Sequence, residues 1–220
     1  ENAILSLAFL LLAVLPIAEI ALRAAAGIGI EGSSYLVQHL TFAVGILGAV
    51  VAAREGRLLG FSAAALLEGA TARIARLVGH AVAAAASTML GLAGMQFVQV
   101  ERAAGRILAY GIPVWTIELL LPAGFALIAL RLLARSSEGI RGQALALVLA
   151  AAIVAAFFAL PFSPRGFVAP GVVLLFAAMA LGAPLFAVLG GMALLLLWGS
   201  GVPIASIAVD HYGLAANPSL

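Results

Sequence analysis

Apolar residues run through this chain in blocks of about twenty, and polar residues fall in short clusters between them. A helix needs roughly 20 consecutive apolar residues to cross a bilayer, so each block predicts a spanning helix. The first runs from Ala3 to Ala25 and ends at the Gly/Ser turn GIGIEGSS, 27–34. The second, Tyr35 to Ala53, ends in REGR, 54–57. The stretch LLGFSAAALLEGATARIAR, 58–76, is less regular and fits the membrane surface, with Glu68, Arg73 and Arg76 among the headgroups. Leu77 to Val100 is the third span. A helix continuing from Gly69 to Ala104 would be roughly 50 Å long at about 1.5 Å per residue, so it must tilt or protrude. The fourth span, Pro113 to Leu133, opens on a proline, which loses no intrahelical hydrogen bond in a first turn. Trp115 then stands at headgroup depth. A polar hinge, ARSSEGIRGQ (134–143), leads to an alanine-rich fifth span, Ala144 to Leu160, stopped by PFSPRG, 161–166. Residues 167–201 are interrupted by LGAP and GG, and predict either one long kinked segment or two shorter ones. The remainder, 202–220, is amphipathic.

The pattern therefore predicts an all-α polytopic membrane protein. Composition agrees: 65% of the 220 residues are apolar and only 9% charged, against about a quarter charged in a soluble domain. All eleven basic residues are arginine, and the net charge of +2 is too small to argue for nucleic acid. The absence of cysteine excludes a disulfide framework, a thiolate metal site and a cysteine nucleophile. Metal-ligand clusters, a phosphate-cradling glycine loop and a serine elbow are absent from the sequence. Asp210-His211 has no accompanying nucleophile. No enzyme activity and no cofactor are expected. The first apolar run lacks a basic flank and a clear cleavage site, which reads as a retained helix rather than a signal peptide.

Arginine bias orients the spans. With the N-terminus in the cytoplasm, the inner loops carry seven arginines (54, 57, 73, 76, 131, 135, 141) and the outer loops four (23, 102, 106, 165). That orientation gathers the polar residues of the first four spans into one layer near the outer interface: Glu19, Arg23, Gln38, His39, Gln96 and Glu118. An acid inside a membrane needs a partner. Glu19 and Arg23 are an i, i+4 pair and can satisfy each other. Glu118 is expected to be interhelical glue, with its partner among Gln38, His39 and Gln96 rather than Arg131, which is roughly 20 Å further along the helix.

Several stretches carry a family resemblance. GIPVW opening the fourth span, LPAGFALIALRLL closing it, Arg23 ending the first and AREGRLLGFSAA after the second resemble the small membrane subunit of tripartite ATP-independent periplasmic (TRAP) transporters, over residues 1–137. Leu58 or Leu59 stands where that family often has a histidine, and Gln38 and His39 where it often has acids. FAAMALGAPLFAVLGGMALLLLWGSG, with Leu181, Gly182, Ala183 and Pro184, resembles the first segment of the large TRAP membrane subunit. HYGLAANPSL resembles the stretch before that subunit's first buried motif. In some members the two subunits are fused through an extra helix, where the fifth span stands here.

The resemblance implies a four-helix small-subunit bundle (1–137), a linking transmembrane helix (138–165) and the first kinked scaffold segment of a larger transport domain (166–220). It implies secondary active import across the bacterial inner membrane of an organic acid, such as a dicarboxylate or sugar acid, delivered by a periplasmic substrate-binding protein and driven by sodium ions. The substrate and sodium sites would lie beyond residue 220, in the remainder of the large subunit. The chain's further partners would then be that remainder and membrane lipids. Arg102, Arg106 and Arg165, as the outer charges, would flank the docking surface of the binding protein. The alternative is a small integral membrane assembly or scaffold protein without transport activity of its own.

Overall fold

The computed structural model describes residues 1–60, 67–159 and 164–215. Among them the chain forms nine helices and no strand: α1 (Asn2–Ala26), α2 (Ser33–Glu55), α3 (Gly69–Ala104), α4 (Val114–Glu118), α5 (Leu120–Arg135), α6 (Ile140–Ala159), α7 (Pro164–Ala180), α8 (Leu185–Gly199) and α9 (Ala205–Ala215). Five helical stretches are long and apolar enough to cross a membrane, with α4 and α5 together making the fourth. Glycines in the left-handed region stop α1, α2 and α3 at residues 27, 56 and 105, a conformation that costs a glycine nothing.

The long α3 is the hub: α4, α5, α6, α7, α8 and α9 pack on it, while α2 packs on α5 and α1. Its run Ala83–Ala86 is buried along with Gly79, Gly91 and Gly94. Small side chains let the neighbouring backbones approach closely, which is how helices associate where lipid removes the hydrophobic drive. By contrast α1 touches chiefly α2 and exposes most of its leucines and isoleucines. Apolar residues exposed along a spanning helix face lipid, so this exposure is ordinary for a membrane protein.

The two ends of the bundle differ. At the near end, where the chain starts, Glu1 accepts from Arg54 at 3.4 Å and also from Arg131. Arg54 donates to the Asn2 side-chain oxygen at 2.6 Å. Arg131 and Arg135 donate to the main-chain oxygens of Val50 and Arg54. These bonds tie the start of α1 to the ends of α2 and α5.

The ambiguous stretch 167–201 resolves as two helices, α7 and α8, broken at Leu181–Pro184. They form an antiparallel hairpin: a side chain on Gly171 would meet Leu195, and one on Gly191 would meet Leu175. Glycine at both crossings lets the arms close. At about 1.5 Å per residue the arms are roughly 26 and 22 Å long, so the hairpin reaches across most of a ~30 Å core. Its tip lies at the near end, where the Leu185 N–H donates to the Leu59 oxygen at 2.8 Å. A Cβ on Gly79 of α3 would lie 3.0 Å from both the Ala183 nitrogen and the Leu181 oxygen, so backbone meets backbone there.

Candidate functional site

The polar chemistry of the bundle gathers at the far end, where α9 packs on α2 and α3. Glu19 closes the α1–α2 turn. Arg23 donates to one carboxylate oxygen at 2.5 Å, and the Ile30 N–H to the other at 2.5 Å. Both acceptors of this buried acid are thereby satisfied, while the Arg23 side chain stays exposed.

His39 is buried and sits between two oxygens. Its Nδ1 is 2.7 Å from the Tyr35 main-chain oxygen, and its Nε2 is 2.5 Å from the Tyr212 hydroxyl. A carbonyl only accepts, so Nδ1 carries the proton and Nε2 accepts from Tyr212. Burial pushes the Tyr212 phenol up to about 12, which keeps it a donor. The Tyr212 ring also meets Phe42 and Phe97, centroids 5.5 and 5.4 Å away, so α9 is pinned to α2 and α3 by one side chain. Tyr212→Phe should keep the ring contacts and lose the hydrogen bond, lowering stability by about 1 kcal/mol. A thermal unfolding midpoint in detergent reads this directly, and an unchanged midpoint would show that the bond contributes nothing.

Glu101, at the end of α3, is 5% exposed. Arg106, past the Gly105 stop, clamps it with two bonds, one of them from Nε at 2.7 Å. The bond to Glu101 holds the Arg106 proton more tightly than in an ordinary arginine. Arg106, one of the outer charges expected to flank a docking surface, has its side chain 60% exposed while its guanidinium is held by the buried Glu101. Arg102 is exposed and lies 5.3 Å over the Trp115 ring, a cation–π arrangement. The Arg165 side chain lies outside the described residues.

Glu118 is 0% exposed. Neither carboxyl oxygen has a hydrogen-bond partner. The expected partner among Gln38, His39 and Gln96 is therefore not there, for three separate reasons. His39 is committed to Tyr35 and Tyr212. Gln96 is exposed on α3 while Phe97, Val98 and Glu101 turn inward. Gln38 lines a pocket of about 440 Å³ with Tyr35, His39, Arg106, Val114 and Tyr212 instead. Between α4 and α5 Leu119 stays right-handed helical, its N–H bonded to the Trp115 oxygen at 3.1 Å and its own oxygen accepting from Ala123 at 3.2 Å, so the helix runs on past Glu118. Pro122, four residues on, has no N–H to give the Glu118 carbonyl.

A second cavity, about 430 Å³, lies between α6 and the α7–α8 hairpin over α3. Val78, Val82, Ile153, Leu174 and Leu195 line it, with Phe157 and Trp198 stacked 4.8 Å apart. It offers nothing to a polar ligand. Among the described residues no group of three His, Cys, Asp or Glu could hold a metal ion.

Glu101 and Tyr212 were missed by sequence reasoning. Glu101 looks like a headgroup acid in the pattern. Its one signal is the arginine five residues later across a helix-stopping glycine. Tyr212 lies 173 positions from its partner His39, and no local signal marks it.

A known family matches the chain over more than half its length. The model of "Tripartite ATP-independent periplasmic transporters, DctQ component" fits residues 12–142. That covers most of α1, all of α2 to α5 and the start of α6; the hairpin and α9 lie outside it. No curated protein and no solved structure matches the chain.

Proposed function

The chain belongs to the DctQ component family of tripartite ATP-independent periplasmic transporters, and from that premise we propose that it is the brace and first scaffold of a fused permease. As a member it is a multi-pass membrane component of a TRAP transporter. In the proposed reading residues 1–137 are the small-subunit bundle, 138–165 the linking helix and 166–220 the start of the transport domain. The cargo is an organic acid delivered by a periplasmic binding protein, and sodium drives its import. The near end, with seven arginines, faces the cytoplasm.

One observation carries this reading: what stands beyond the family match is itself built for a membrane and locked to the bundle. The α7–α8 hairpin reaches across the core, meets Gly79 backbone to backbone and is held at Leu59, while Tyr212 pins α9 at the other end. Contacts at both ends suit a static scaffold and not a moving element. The substrate and ion sites are proposed to lie in other elements of the permease. The described residues contain no convergent polar pocket in the middle of the spans, which is where transporters of this kind bind cargo.

The test is uptake by the natural full-length polypeptide in proteoliposomes, supplied with its binding protein and an inward sodium gradient. Accumulation of an organic acid that requires all three is the expected result. Uptake by none of the candidate acids would favour an assembly role without transport. The docking surface is tested in the same assay. Because Arg106 is engaged by Glu101, Arg102 is the more available charge, and Arg102→Glu should cut uptake about tenfold, the equivalent of ~1.4 kcal/mol of docking energy. Unchanged uptake with folded protein would remove Arg102 from that surface.

A further inference from the structure

Helix α6 and the α7–α8 hairpin both rest on α3, but they do not close on each other. α6 packs on α3 and α5, and α7 packs on α8 and α3. The cavity of about 430 Å³ occupies the space between them. Its floor is one face of α3, where Val78, Val82, Ala86 and Met89 follow one another at helical spacing. Every side chain on its walls is aliphatic or aromatic. Water gains nothing in such a space, and an empty one deprives its lining of dispersion contacts.

The cavity opens sideways. Leu174, on its α7 wall, is 63% exposed. Val173 and Phe176 of α7 and Val148 of α6 are exposed as well, so the cavity continues the surface that these helices present to lipid. Trp198 frames one end, its ring 4.8 Å from Phe157 and 6.4 Å from Phe167. These three residues lie where α6 and α8 end and α7 begins, and tryptophan favours headgroup depth. The other end is closed by Val78 and by Leu181 at the hairpin tip.

Shape decides the occupant. Along α7 the wall runs from Phe167 to Leu181, roughly 20 Å at about 1.5 Å per residue. Spread over that length, the volume makes a channel roughly 20 Å² in section. A helix, about 10 Å across with its side chains, needs roughly 80 Å², so no further spanning segment fits inside. A hydrocarbon chain, whose carbons sit about 4 Å from the atoms they touch, needs a tube about 5 Å wide, which is the same ~20 Å². We propose that the cleft between α6 and the hairpin holds one acyl chain of a bilayer phospholipid, with the headgroup at the Trp198 end. The chain is recognised by its section and length and not by its headgroup. Once seated, it completes the packing between α6 and α7 that protein atoms leave open. The inference rests on the membrane setting of the chain and not on the fused-permease reading.

The test is native mass spectrometry of the natural full-length polypeptide. The protein is reconstituted with equal parts of dioleoyl-phosphatidylethanolamine and dioleoyl-phosphatidylglycerol, then washed with mild detergent. One phospholipid per chain should remain, of either headgroup. Dioctanoyl lipids should be retained at least about tenfold less, because each buried CH₂ adds to affinity. Ala156 lines the cleft from α6, while Ala155 is exposed and lies outside the lining. Ala156→Phe should fill the cleft and lower retention about tenfold, and Ala155→Phe should leave it unchanged. Absence of retained lipid in the wild type, or equal retention by the two variants, overturns the proposal. Retention of one headgroup alone overturns recognition through the chain. A wild type that sheds its lipid and registers as a dimer overturns it too, and gives the cleft to a second copy. Should Ala156→Phe fail to fold, Ala177→Phe fills the cleft from α7, with the exposed, non-lining Ala180→Phe as its control; equal retention by that pair overturns the proposal.

Discussion

Replacing Gly79 with alanine should unseat the tip of the α7–α8 hairpin. The added Cβ would stand 3.0 Å from the Ala183 nitrogen and the Leu181 oxygen, and 3.2 Å from the Gly182 carbonyl carbon. All three are backbone atoms in a tight turn held by the Gly182 N–H to Met179 and the Ala183 N–H to Ala178, at 3.0 and 2.9 Å. No flexible side chain can absorb the clash, so the helices must separate. Overpacking of this kind costs about 1–3 kcal/mol, which at roughly 2–4 °C per kcal/mol for a chain of this size lowers the melting midpoint by about 2–12 °C. The bond from Leu185 to Leu59 should weaken with it. Gly48→Ala is the control, because a Cβ there meets nothing within 4 Å. It should be neutral, or stabilising by up to about 1 kcal/mol from helix propensity. If both variants melt alike, the hairpin is not seated on α3 through Gly79.

Removing the Arg106 guanidinium should cost more than removing any other exposed charge at the far end. Arg106→Gln leaves Glu101, 5% exposed, without its cationic donor. Breaking a buried pair costs about 3–5 kcal/mol. Here the arginine side chain is 60% exposed, so solvent screening reduces the expected loss to about 2 kcal/mol. The larger part of that loss belongs to the stranded acid, and Glu101→Gln in the same protein should therefore restore more than half of it. Denaturation of the wild type, both single variants and the double variant in mild detergent closes the cycle. Additive losses in the double variant would show that the two side chains do not act on each other. Arg102→Gln serves as the comparison, since Arg102 rests on the Trp115 ring and leaves no acid behind.

Much of the architecture was legible because membrane spans announce themselves locally. Lipid offers no hydrogen bonds, so each span must be one uninterrupted apolar helix, and the run lengths alone predicted helices close to α1, α2, α3 and α6. The Gly69–Ala104 helix could be anticipated because no glycine or proline pair breaks it. Pro113 and Trp115 likewise marked the start of the fourth span. Residues 167–201 were not decidable, because LGAP can kink one helix or turn between two; only the pairing of Gly171 with Leu195 and Gly191 with Leu175 makes it a hairpin.

The polar layer divides the same way. Glu19 and Arg23 are four residues apart on one helix, and their pairing is a local matter that spacing reveals. Glu118 is the opposite case. Its expected partners sit at the right depth, but depth along a span says nothing about rotation, and rotation turns Gln96 out to lipid and commits His39 to Tyr212. By itself the sequence determined the helical class, the spans and the depth of each polar residue, since these follow from periodicity and the length of a bilayer. Only the tertiary structure decided which of those residues face one another. Helix rotation and the docking of α9 are set by small-residue packing along α3, where many weak contacts between distant segments choose the answer together.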